Sequence, residues 1–144
     1  MIRKISIKDK ENWKKLYKGY ADFYKSTINE IILDTVWSWL MDKNHEVKGI
    51  VCEIDGNLTA LAHYRAIPRP LKGKYICFLD DLYVDPTYRN RKIGQKLMNE
   101  IKVISKSEKW DLVRWITHQD NIKAKSLYDK ISEKTNWDVY EMKQ

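Results

Sequence analysis

A chain of 144 residues accommodates one ordinary domain and can bury about two-thirds of the surface its unfolded form exposes, so it needs no disulfide or metal staple. Hydrophobic residues make up 43%, with six Trp and nine Tyr. That excludes a disordered tail, and neither a membrane span of ~18 apolar residues nor a secretory signal is present, so the cytosol is the expected compartment. The 27 Lys and Arg are scattered among 20 Asp and Glu, for a net charge of +7; without a basic block, nucleic acid and a small polyanion explain the excess equally well.

Residues 1–7 alternate loosely (Ile2, Ile5, Ile7) and predict a first strand. Residues 9–24 place Trp13, Leu16, Tyr17, Tyr20, Phe23 and Tyr24 at i, i+3, i+4 spacing, the apolar stripe of a helix. Thr27 and Glu30 have the spacing of a capping box that starts a second helix ending near Asp42. Its buried side carries Ile28, Ile32, Leu33, Val36, Trp37, Leu40 and Met41. Residues 47–54 and 58–66 flank Asp55-Gly56-Asn57 and predict a hairpin; residues 74–84 form a third strand of that antiparallel set.

A polar loop at 85–91 leads to a helix with Ile93, Leu97, Met98, Ile101 and Ile104 on one face. A short strand at 112–117, a helix at 121–132 and a last strand at 137–142 follow. The order is β-α-α-β-β-β-α-β-α-β, helices packed on a mixed sheet in one α/β domain spanning 1–144, with a right-handed parallel crossover from the third long strand to the strand at 112–117. Cys52 and Cys77 lack metal or redox spacing. With three strands paired in chain order they stand roughly 9–10 Å apart, too far for a disulfide. The isolated histidines and cysteines predict no metal site.

Chemistry concentrates in residues 79–95, LDDLYVDPTYRNRKIGQ. A strand ends, a basic loop follows, and a helix begins. The amino end of a helix presents unpaired N–H groups and the positive end of its dipole to an anion. Arg89, Arg91 and Lys92 add charge there, and Gly94 allows close approach to the backbone. These features suit a pyrophosphate.

The segment resembles the acetyl-CoA loop of the GNAT superfamily of N-acetyltransferases, in which Arg or Gln is followed by x-x-Gly-x and then Gly or Ala. Here it reads Arg89-Asn90-Arg91-Lys92-Ile93-Gly94. The upstream LYVDPTYR and the downstream Asn121, Ala124, Leu127 and Tyr128 also match, nearest to the branch that acetylates polyamines and small basic substrates. The resemblance implies a GNAT-like fold: a mixed, mostly antiparallel sheet of six to seven strands flanked by four helices. It implies acetyl-CoA as co-substrate, with no metal. The cofactor would be held by Leu82, Tyr83, Val84, Arg89, Asn90, Arg91, Lys92, Ile93, Gly94, Gln95 and Asn121. Lys92 stands where the family has its first glycine, a role a non-glycine residue fills if its φ is negative. The segment at 137–142 offers one closing strand where relatives have two. The resemblance therefore implies that a partner subunit completes the sheet, making a homodimer.

An alkyl amine is about 99.9% protonated at pH 7, which puts roughly 4–5 kcal/mol between it and its nucleophilic form. A base must take that proton. Asp80 and Asp81 are adjacent, and regular alternation sends them to opposite faces. The resemblance implies Asp80 as base and Tyr128 as the acid that protonates the departing thiolate. Asp81, Glu30 and Asp34 are the carboxylates expected to attract a cationic acceptor: polyamine, amino acid or basic peptide. His118 is expected to be an exposed loop residue, and His63 to face the cleft or solvent. Two rivals are a non-catalytic acyl-CoA sensor and a basic nucleic-acid-binding domain.

Overall fold

A computed structural model describes residues 1–144. One five-stranded sheet carries the chain, in spatial order β1-β2-β3-β4-β5. β1 spans Ile2–Lys4, β2 Lys48–Ile54, β3 Asn57–Arg69, β4 Lys74–Val84 and β5 Val113–Arg114. The first four are antiparallel neighbours; β5 joins β4 in parallel. The β2–β3 turn uses two residues, Asp55 at φ +50 and Gly56 at φ +79, the positive dihedrals that match the twist of a tight hairpin.

Four helices cover the sheet: α1 (Lys10–Phe23), α2 (Glu30–Met41), α3 (Ile93–Ser107) and α4 (Ile122–Ile131). On one face α1 and α2 bury Trp13, Leu16, Leu33 and Trp37 against Val51 and Leu61. On the other, Leu97, Met98 and Ile101 of α3 pack on Ile50, Ala62 and Leu79. Gly19 lets α1 settle against β4, since a Cβ there would stand 2.6 Å from the Tyr83 hydroxyl.

Several expectations are revised. The sheet has five strands, not six to seven, and the element order ends at α4. Residues 137–142 do not form a strand; Trp137, Val139, Tyr140 and Met142 are all exposed. No strand of this chain pairs with them. The strand expected at 112–117 shrinks to two residues. Asn29, not Thr27, caps α2, its side chain accepting from the Ile32 N–H at 2.9 Å. Ile32 is consequently turned outward. Cys52 pairs opposite Ala60 and Cys77 opposite Ala66, so six residues along β3 separate them, farther than strand spacing alone implied. Both are free, and burial pushes the Cys77 thiol up to about 12.

Candidate active site

The site begins where two strands separate. β5 pairs with β4 only at Cys77 and Phe78, which leaves the same edge of β4 from Leu79 to Val84 without a strand partner. The main-chain groups of Leu82, Tyr83 and Val84 lie along that free edge.

One extra residue interrupts β4 at this point. His63 pairs with Asp81 and Tyr64 with Leu79, so Asp80 bulges between them and alternation shifts by one. Cys77 and Leu79 face α3 before the bulge; Leu82 and Val84 face it afterwards. The two aspartates therefore share a face. His63 and Arg65 lie two residues apart on β3 and point the same way, and they hold Asp81 and Asp80 respectively. The expectation of opposite faces fails because it assumed an unbroken strand.

The two carboxylates sit in different surroundings. Asp80 accepts from the Arg65 Nε at 3.1 and 3.0 Å, yet burial raises its pKa against the pull of that guanidinium, with Asp81 adding to the rise. Asp81 is also penalised by burial, but the hydrogen bond and electrostatic pull of His63, followed by the hydroxyls of Tyr20 and Tyr17, outweigh it and hold its carboxyl below the ordinary value. The Tyr17 hydroxyl donates to Asp81 Oδ2 at 2.9 Å, and His63 Nδ1 lies 2.8 Å from the same oxygen. Environments that drive two neighbouring acids apart in this way suit different tasks.

His63 is sealed in the core, not facing the cleft or solvent as expected. The Trp13 Nε1–H donates to His63 Nε2 at 2.9 Å. Indole nitrogen only donates, so Nε2 is bare and the imidazole proton sits on Nδ1, directed at Asp81.

Beyond Asp81 the cleft is lined by tyrosines of α1. Tyr17 and Tyr20 are stacked with centroids 5.7 Å apart, and Tyr20 lies 4.9 Å from the ring of Tyr24. Tyr24 lies within electrostatic reach of Asp81; it acts likewise on Tyr128. Tyr128 packs edge-on against Trp115 at 5.2 Å. Burial raises its pKa, which keeps its phenol protonated and able to donate. Sequence reasoning read these α1 tyrosines only as a core stripe. The signal it missed is chemical: three hydroxyls at i, i+3 and i+7 opposite an acidic pair.

The basic loop is arranged less simply than expected. Arg89 folds back on the strand end: its Nε donates to the Val84 carbonyl at 3.1 Å, and its guanidinium lies over the Phe23 and Tyr83 rings at 5.4 and 5.7 Å. Arg91 stacks on Tyr88 at 5.1 Å. Asn90 and Lys92 both have positive φ, +65 and +60, so Lys92 takes the left-handed conformation of the glycine it replaces, not the negative φ that was expected. As N-cap of α3 it makes no side-chain bond to the first turn. The Ile93 side chain is buried in the core, leaving only its amide toward the loop. A Cβ on Gly94 would have nothing nearer than Val84 Cγ2 at 3.8 Å. An extended strand edge, the open amino end of a helix and this clear approach beside Gly94 fit the pantetheine and diphosphate of coenzyme A.

Glu30 and Asp34 are not brought to the cleft. They are about 60% and 59% exposed and pair with Lys14, Lys18 and Lys10 of α1. His118 is an exposed loop residue. A hollow of about 440 Å³ lined by Arg3, Lys4, Asp9 and Glu53 lies at the β1 end of the sheet. Its charged groups already satisfy one another: Arg3 bonds Asp9 and Glu53 at 2.6–2.9 Å.

A mixed sheet whose parallel pair parts beside a helix amino end, with acids and a tyrosine around the gap, defines an acyl-CoA-using transferase. The family model "Acetyltransferase (GNAT) family" matches residues 13–132, and the chain belongs to that family. It is an acetyl-CoA-dependent N-acetyltransferase. Among known proteins it is similar to the D-amino-acid N-acetyltransferase HPA3 of Saccharomyces cerevisiae, 26% identical over 97% of this chain and 88% of that protein. Its fold matches a possible acetyltransferase from Clostridium difficile 630, with a TM-score of 0.87 and 22% identity over 100% of this chain and 97% of that one. It also matches AAC(6')-Iy in complex with the bisubstrate analog CoA-S-monomethyl-acetylneamine, with a TM-score of 0.84 and 16% identity over 100% and 97%.

Proposed function

We propose that this enzyme acetylates a primary amine by direct attack on acetyl-CoA, with Asp80 as base and Tyr128 as acid. Coenzyme A would lie along the free edge of Leu82, Tyr83 and Val84, with Asn121 beside its pantetheine arm. Its diphosphate would rest on the amides of Arg91, Lys92, Ile93, Gly94 and Gln95. Arg91 and Lys92 would neutralise it, while Asn90 and Arg89 shape the loop. The thioester supplies an activated acetyl group. Asp80 takes the proton of the incoming amine, directly or through water, and Tyr128 returns a proton to the departing sulfur.

The observation that carries this reading is the bulge in β4. It sets a carboxyl of raised pKa beside one of lowered pKa, on one face, where β4 and β5 part. A base of raised pKa takes a proton from an ammonium with less penalty than an ordinary carboxylate. The acceptor belongs to the amines represented by polyamines, amino acids and basic peptides; HPA3, named for D-amino acids, puts those in the panel too.

A thiol-release assay with acetyl-CoA against that panel tests the reading. Tyr128→Phe and Asp80→Asn should each lower turnover by about 10²–10⁴-fold while coenzyme A affinity stays within a factor of two or so. Unchanged turnover in either variant removes that residue from the mechanism. No heat on mixing with coenzyme A removes the donor site.

We also infer a homodimer. The exposed Trp137, Val139, Tyr140 and Met142 and the outer edge of β5 are complementary unfinished surfaces, and a strand added from a second copy satisfies both. Light scattering at micromolar concentration should give the dimer mass, and removal of residues 137–144 the monomer mass. A monomer in the full chain refutes it.

A further inference from the structure

Arg65 is only partly used by the fold. Its Nε donates to both oxygens of Asp80 at 3.1 and 3.0 Å, and its guanidinium lies over the Phe78 ring at 5.2 Å. A guanidinium carries five N–H donors. No residue of this chain takes the four on its Nη atoms, which stay open to solvent on a side chain 35% exposed.

Arg114 is a second guanidinium, and no side chain answers it. Val113 and Trp115 pack toward α3, so alternation turns Arg114 to the opposite face. It stands opposite Phe78 on the parallel rung, and Phe78 in turn stands opposite Arg65 on the antiparallel one. Arg65, Phe78 and Arg114 thus form one row across three strands, at the last rung before β4 and β5 part. Asp80 lies just beyond that row on the same face. The acid nearest Arg114 in sequence, Asp111, is committed to Arg69 and Lys74 at 3.0 and 3.7 Å. Arg114 is partly buried, and a cation withdrawn from water without a counter-charge costs free energy that an anionic ligand would return.

The charges on this face therefore run in order: two guanidiniums, then the carboxyl that acts as base. We propose that Arg65 and Arg114 clamp a carboxylate of the acceptor, and that the acceptor is an α-amino acid. In such a molecule one carbon separates the nitrogen from the carboxylate. A nitrogen delivered to Asp80 sets that carboxylate beside Arg65, which lies against the same acid. The planar guanidinium fork meets a carboxylate with two parallel bonds. A polyamine would instead bring its next methylene or ammonium to a pair of guanidiniums, an uncompensated or repulsive contact. This rests on the transfer reaction proposed above and narrows its acceptor.

The test uses the full chain, acetyl-CoA and three acceptors of one carbon skeleton: norleucine in each enantiomer, norleucinamide and pentylamine. The nitrogen of the amide is the least basic of the three, so the supply of free amine alone would favour it. The expected kcat/KM for at least one enantiomer of norleucine is tenfold or more above both others, the effect of one charge-assisted bond. Arg114→Gln should cut that ratio at least tenfold, through KM. Arg114→Lys, which keeps the charge without the fork, carries the same test if the glutamine variant does not fold, and should cut the ratio about threefold. Norleucinamide or pentylamine used as well as norleucine, or a preference that survives substitution of Arg114, overturns the proposal. Arg65→Gln also frees Asp80, so its loss should appear in kcat for pentylamine as well as in the norleucine ratio; a ratio unchanged there removes Arg65 from the clamp. Calorimetry with norleucine in the presence of coenzyme A, which carries no acetyl group, reads the clamp without turnover. Binding that is lost in Arg114→Gln supports the proposal even if no acetyl transfer occurs, in which case the transfer reading alone falls. Absence of binding in the parent chain overturns it.

Discussion

Lys92→Gly probes the phosphate loop at its most strained point. Lys92 has φ +60 and ψ +20 and caps α3 without a side-chain bond. A side chain in the left-handed region costs roughly 1–2 kcal/mol, because its Cβ crowds the following carbonyl. Glycine removes that crowding but adds about 0.5–1 kcal/mol of freedom to the unfolded chain. As an N-cap, glycine is itself favoured over residues that cannot bond the first turn. The balance is a stabilisation of about 1 kcal/mol, or roughly 3 °C in Tm for a chain of this size. Lys92→Ala separates the two properties of the residue, since it keeps the strain and removes the ammonium. Thermal unfolding should therefore rank Gly above Lys, with Ala at or below Lys. If the ammonium reaches the diphosphate, both variants should bind coenzyme A about tenfold more weakly by calorimetry, the loss of one charge-assisted bond. A glycine variant with unchanged or lowered Tm would refute the strain argument. Affinity unchanged in both would leave the loop amides as the whole of the Lys92 contribution.

Gly94→Ala should leave the unliganded protein as stable or slightly more so, because the new Cβ meets only Val84 Cγ2 at 3.8 Å and alanine favours a helix. Its coenzyme A affinity should fall at least tenfold in calorimetry, and unchanged affinity would mean that the ligand does not approach there. Asp9→Asn tests the opposite end of the sheet. Asp9 accepts from Arg3 at 2.8 and 2.9 Å and from the Ser6 amide at 2.8 Å, and the Arg3 bonds lower its pKa. Its stabilisation is thus present above the unfolded carboxyl value of about 3.9 and is lost as pH falls through the lower folded value. Urea unfolding should show the variant about 3 kcal/mol less stable at pH 7 and nearer the parent at pH 2–3; an equal gap at both pH values refutes it.

The three long strands, the β2–β3 hairpin and the strand–loop–helix before Gly94 were readable because each is local: a period, a turn dipeptide, a breaker residue. The site was readable only in part. Asp80, Asp81 and Tyr128 stood out as chemistry-bearing types, but their shared geometry depends on where β3 and β4 register. The bulge adds one residue to a strand of unremarkable composition, and no local signal marks it. Nor does sequence show that Tyr17 and Tyr20 turn their hydroxyls toward Asp81 instead of filling the core like Trp13 and Leu16. For Glu30 and Asp34, the lysines of α1 that neutralise them lie 12–24 positions upstream, beyond any helical spacing. The strand expected at 137–142 has strand-forming residues, which is a property of the segment; a partner edge is a property of the assembly.

Deleting Asp80 outright would separate the role of the bulge from that of the fold. Residues up to Leu79 and from Asp81 onward already hold the faces that an unbroken strand would give them: Leu79 and Leu82 toward α3, Asp81 and Tyr83 toward α1. Excising the one residue between them therefore closes the ladder without turning any core side chain. Arg65 loses its partner, but its side chain is 35% exposed and water can serve it, at a cost of about 1 kcal/mol or less. The shortened chain should fold with a Tm within a few degrees of the parent. Asp81 should stay bonded to His63, and coenzyme A should still be bound along Leu82 to Val84. Turnover should fall by at least 10²-fold, as far as in Asp80→Asn, because the base is gone. An unfolded deletion variant would show that the bulge is a structural necessity of this sheet. A folded variant with full turnover would show that Asp80 does no chemistry, and that the acid pair created by the extra residue is an accident of register.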